Sequence, residues 1–226
     1  MTSSTIYLDV DGAELQGTLA VPAGARGLVI FVDGRGDCRM SRANREVAGI
    51  LREAGYGTLL LDLLTPDEEQ LDWRGHELPF DIASLASRLS RAIDSVRVAP
   101  PTENLRIGLF GVDTGTAAAL TVAARRPAEI AAVVSHSGRP DLACENLRLV
   151  RVPTLLIVGV NDSVGLGRNR FGAAELADAS LQIVDGGSFA LEKPEALHKV
   201  GQLASSWFEV NMARVDAVDR RRSFTA

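Results

Sequence analysis

The chain has 226 residues, 46% hydrophobic and 23% charged, with a net charge of -5; this suits one globular domain, 1–226, long enough to bury a full core. The excess of acid argues against nucleic acid as a partner, since phosphate backbones need a basic face, and no stretch is apolar enough to span a membrane. Cys38 and Cys144 are the only cysteines and have no zinc or C-x-x-C spacing, so free structural thiols are expected and neither metal nor cofactor is called for.

The opening "MTSSTIYLDVDG" lacks a basic segment followed by an apolar one, so a cytoplasmic protein is expected. Residues 5–10 and 14–21 alternate apolar and polar around "DGA", the pattern of an antiparallel hairpin with one solvated face. Continuous apolar runs follow in "RGLVIFVDG", "YGTLLLDLL", "LRIGLFGVD", "IAAVVSHSG", "PTLLIVGVND" and "LQIVDGG", which read as buried parallel strands. Between them, "SRANREVAGILREAG", "DIASLASRLSRAIDSVRVA", "TAAALTVAARRP" and "RNRFGAAELAD" have helical period, and "PEALHKVGQLASSWFEVNMARV" closes the chain ahead of about 15 residues read as a helix end and tail, with "DRRRSF" a solvated run. Strands alternating with such helices mean an α/β, doubly wound, mostly parallel sheet with helices on both faces.

Ligands of such sheets bind beyond the carboxyl ends of the strands. The residues there are Asp33, Gly34, Arg35 and Asp37 after the first buried run, Asp113 and Thr114 in the turn of "GVDTG", His136 and Arg139 after "AAVVS", Asp162 after "LLIVG", and the loop holding Phe189 after "LQIV". The glycines Gly111 and Gly115 frame Asp113 as the outer glycines of G-x-S-x-G frame a nucleophilic serine.

The strand order, this glycine turn and the phrases "DLLTPDEEQLD", "GRPDLA" and "PTLLIVGVND" resemble the dienelactone-hydrolase-like α/β-hydrolases over nearly the whole chain. The resemblance implies the α/β-hydrolase fold and places serine, histidine-glycine, aspartate and histidine at Asp113, Asp33, Asp162 and Phe189. Three of the four differ, and only Asp162 keeps the residue type. Phe189 cannot take a proton or activate water, so ordinary serine hydrolysis is not expected. Of the three histidines, His76 and His198 lie away from the strand ends, leaving His136 as the one replacement base in position.

Carboxylates crowded in a partly dry pocket cannot all stay ionised, so Asp33 and Asp113 suit an acid and base pair for cyclisation, epoxide opening, dehydration or isomerisation of a small oxygenated apolar metabolite. Gly34, Arg35, Thr114, Arg139 and Phe189 would line its site. Two other readings stand beside this one: a non-catalytic pseudo-hydrolase that binds a ligand or partner, and a hydrolase with Asp113 as carboxylate nucleophile. As inert structure, Asp113 would cap a helix, Asp162 would be a turn residue, and Asp33 would pair with Arg35 or Arg39. A homodimer fits this fold.

Overall fold

The computed structural model describes residues 3–10, 12–34, 38–72, 78–185 and 193–222, the last nine as backbone only. Arg35, Asp37, His76 and Phe189 of the sequence reading lie outside the described residues.

Strands β1 (Ser4–Val10) and β2 (Ala13–Ala20) form the antiparallel hairpin, and β2 joins β4 (Gly57–Asp62) antiparallel. From there β3 (Leu28–Asp33), β5 (Ile107–Val112), β6 (Ile130–His136), β7 (Thr154–Gly159) and β8 (Ala179–Val184) complete a parallel array. The order across the eight strands is β1-β2-β4-β3-β5-β6-β7-β8. Every residue of β3, β4, β6 and β7 is buried, which is why these runs show no alternation in sequence.

Helices α1 (Arg42–Glu53) and α6 (Pro194–Arg222) cover one face through Val47, Leu51, Val200 and Phe208. Helices α3 (Ile82–Val98) and α4 (Thr114–Arg125) cover the other through Leu85, Leu89, Ala118 and Val122. The remaining helices are α2 (Pro66–Asp72) and α5 (Ser163–Glu175), and two 3-10 segments span Leu78–Phe80 and Pro140–Leu149. Gly55 ends α1 at φ 88°, and α4 stops at Arg125, two residues before Pro127.

Strand β8 is parallel as expected but not buried: it is the sheet's last strand, with Gln182 and Ile183 exposed. Two helices also differ from the sequence reading. Helix α2 is seven residues of "PDEEQLD", too short and too acidic to show an apolar period, and Arg88 holds it by donating to Glu68 at 2.5 and 2.6 Å. Helix α5 begins at Ser163, five residues before "RNRF", because Asp162 caps it by accepting from the Gly165 amide at 2.8 Å. Gly165 and Gly167 in its first turns mask that start.

Candidate active site

The turn between β5 and α4 carries Asp113 at φ 47°, ψ -126°. This is backbone that a residue with a Cβ adopts only at a cost of about 1–3 kcal/mol. The flanking glycines make the turn possible. A Cβ on Gly111 would stand 2.6 Å from the Thr116 Cα, and one on Gly115 would stand 2.2 Å from the Val32 carbonyl oxygen, so α4 can seat against β3 and β5 only with hydrogen at both positions. A side chain held there projects from the strand end, the placement that a nucleophile elbow gives its serine. Asp113 does not cap α4, as no α4 amide donates to its side chain.

Gly34 and Thr114 meet where the loop after β3 faces this turn. A Cβ on Gly34 would fall 1.8 Å from Thr114 Oγ1, and that buried hydroxyl has no hydrogen-bond partner. The Arg139 amide donates to the Asp113 carbonyl at 2.9 Å, while its guanidinium is held by Asp141 at 2.8 Å. Hydrogen bonding to Asp141 raises the Arg139 pKa, with a smaller Coulombic contribution from Asp113.

Asp33 and His136 point into the layer under α1 and α6. In the parallel registers Asp33 aligns with Asp62 and Val112, and Val112 with His136, so the four form one row on one face. Asp33 and His136 therefore stand two strand spacings apart, about 10 Å. Asn44 of α1 reaches Asp33 with Nδ2 at 3.5 Å. Arg39 pairs with Asp62, through both its backbone amide and its guanidinium, so the expected Asp33–Arg39 pair gives way to its neighbour in the row. His136 is wholly buried beside Phe110, and burial alone lowers its pKa to about 4. It is neutral at physiological pH, and its Nε2 has no hydrogen-bond partner.

Asp162 lies under the opposite face, where α5 packs. One oxygen caps the helix and the other, Oδ2, is buried without a partner. The sequence reading passed over Asn169. Its Nδ2 donates to the carbonyls of Gly138 at 3.2 Å and Gly165 at 2.9 Å, tying α5 to the segment that holds the Asp113 turn through Arg139. A buried asparagine one helical repeat beyond a capping aspartate was the available signal. Among the described residues no three His, Cys, Asp or Glu side chains gather as a metal site, and no helix is long and apolar enough to cross a membrane.

Comparison with known proteins agrees with this architecture. Residues 15–179 match the model of the dienelactone hydrolase family. A dienelactone hydrolase from Anabaena variabilis superposes with a TM-score of 0.88 at 44% identity, covering 93% of this chain and 98% of that one. Est1E from Butyrivibrio proteoclasticus has a TM-score of 0.76 at 15% identity, covering 92% and 99% of the two chains, a likeness of fold alone. A protein from two strains of Mycobacterium tuberculosis, carrying the provisional name phosphoribosyl transferase, is 45% identical over 193 residues; these are 85% of this chain and 43% of the relative's length.

Proposed function

The chain belongs to the dienelactone hydrolase family, and from that membership we propose that it has left serine hydrolysis for acid and base chemistry on a small oxygenated apolar metabolite, with Asp113 as the reactive carboxylate. One observation carries the reading: Asp113 stands in strained elbow backbone without capping α4. A carboxylate kept only for structure would be expected to cap the helix, as Asp162 does for α5. Backbone strain of this kind also occurs at Ser137 and Cys144, but only at Asp113 does it fall in the glycine-framed turn at the strand end, where strain often accompanies a working group.

In this scheme Asp113 removes or delivers a proton at the substrate, and Asp33 is the second carboxylate of the strand-end edge. Gly34 and Thr114 form the wall between them, and Arg139, already committed to Asp141, tunes the charge near Asp113. His136 is a positioning neighbour beneath the site rather than its base, because burial keeps it neutral and no carboxylate supports its cation. The phosphoribosyl transferase name is not carried over, since this chain spans less than half the length of the proteins that bear it.

The test is carboxyl-carbon NMR of Asp113 and Asp33, assigned with Asp113→Asn and Asp33→Asn. Two well-separated pKa values, one close to neutrality, support a proton-transfer pair. Two ordinary carboxylate values overturn it and favour a protein that binds without reacting.

A further inference from the structure

A second opening lies away from the strand ends, between α1 and the adjacent strands β2 and β4. It is a groove of about 330 Å³ with Thr18 of β2 and Leu60 of β4, which are register partners, in its floor. Ser3 lies at its outer side. Arg45 and Arg52 come from α1, seven residues and so two helical turns apart, and Arg39 stands beside them. Gly49 lies between them on the same stripe and leaves it without a side chain, at a cost to the helix of about 1 kcal/mol relative to alanine.

The three arginines differ in what already holds them. Arg39 is bound to Asp62 and donates to Gln16 at 2.6 Å. Arg45 donates to the Met40 carbonyl at 2.7 Å, and Arg52 to the Thr58 hydroxyl at 3.2 Å. Neither has a carboxylate within ion-pair distance among the described residues, although Glu53 acts weakly on Arg52 from the same helix. Each guanidinium carries five N–H donors, and for Arg45 and Arg52, which line the groove, one acceptor each accounts for only one of the five.

We propose that this groove binds a phosphate-bearing small molecule, gripped by Arg45 and Arg52 with the hydroxyls of Thr18 and Ser3 in support. Guanidinium forks match phosphate and carboxylate oxygens alike. Two cations and two hydroxyls together offer more donors than a carboxylate can accept, whereas the three or four oxygens of a phosphate can use them. Burial disfavours the Arg52 charge, while Arg26, Arg88, Arg126, Arg139 and Arg148 are all favoured by carboxylate partners. Arg52 is thus the half-buried arginine of this set whose charge burial disfavours, and an anion bound in the groove would favour it. The groove is separate from Asp113, whose charge would repel such a ligand, so the proposal stands whether or not the proton-transfer reading holds.

The test is titration of the full chain with inorganic phosphate and with pyrophosphate at low ionic strength, followed by calorimetry and phosphorus NMR. Saturable one-site binding is expected, tighter for pyrophosphate, and weakened about tenfold or more by Arg45→Gln or Arg52→Gln. Arg151→Gln removes the same charge from an exposed position that does not line the groove, and should bind as the parent does. Arg45 is exposed, so its variant carries the test if Arg52→Gln fails to fold. Absence of saturable binding overturns the proposal. Equal weakening by Arg151→Gln reduces it to diffuse attraction and also overturns it, and acetate binding as tightly as phosphate overturns the phosphate assignment.

Discussion

At the scale of single residues, three groups near the strand ends separate cost from use. Asp113 carries backbone strain, so Asp113→Gly should raise the unfolding free energy by about 1 kcal/mol while removing the reactive group, as measured by urea denaturation. Asp162 does the opposite. Asp162→Ala should lose about 1 kcal/mol with the α5 cap, and Asp162→Asn should lose far less, since asparagine caps equally well. His136 links stability to pH. Its folded pKa of about 4 lies below the unfolded value, so the folded protein stays neutral there while the unfolded chain takes a proton as pH falls below about 6.5. The stability held above pH 6.5 is therefore lost progressively down to pH 4. Between pH 7 and pH 5 the loss from this group should be about 2 kcal/mol, and urea midpoints of His136→Leu should lack that share.

Among elements, the fit of α4 against β3 is the most demanding contact near the site. Gly115→Ala puts a methyl group against the Val32 carbonyl, so it should cost about 2 kcal/mol or more and shift the amide resonances of the Asp113 turn. Six strands are legible in the sequence because their apolar runs are long and end in glycine, aspartate or histidine, and β1 and β2 because they alternate. The face that each strand-end residue chooses is not. "LVIFV" ahead of Asp33 is apolar throughout, so nothing in its pattern tells that Asp33 turns toward α1 while Asp162, after an equally uniform run, turns under α5. The same uniformity hides the Arg39–Asp62 pair, which depends on β4 lying beside β3 with Asp62 in register with Asp33.

Over the whole molecule, the fold of the dienelactone hydrolase family carries Asp113 in its strand-to-helix turn. The partnerless Asp162 Oδ2 is where the resemblance places the acceptor for the histidine replaced by Phe189. The parent chain should leave p-nitrophenyl acetate unhydrolysed above the Asp113→Ala background. Asp113→Ser combined with Phe189→His should gain measurable esterase turnover, and failure of the double variant to do so would show that the scaffold has drifted beyond the two side chains. Composition and the alternation of strands and helices were enough to read the α/β fold from the sequence. The groove beneath Arg45 and Arg52 escaped notice because a helix face of arginines reads in sequence as a solvated surface.

The seating of Gly115 against Val32 also sets the order of assembly. Those residues, in β3 and at the start of α4 just after β5, are separated by more than eighty positions, and β3 and β5 pair only after α1, β4, α2 and α3 have been threaded between. A nascent or truncated chain ending before β5 has no turn at all, and a complete one acquires it only with the non-local core. Parallel sheets closed this way fold slowly, so recovery of the Asp113 turn after dilution from denaturant should coincide with the final cooperative phase rather than with early helix formation.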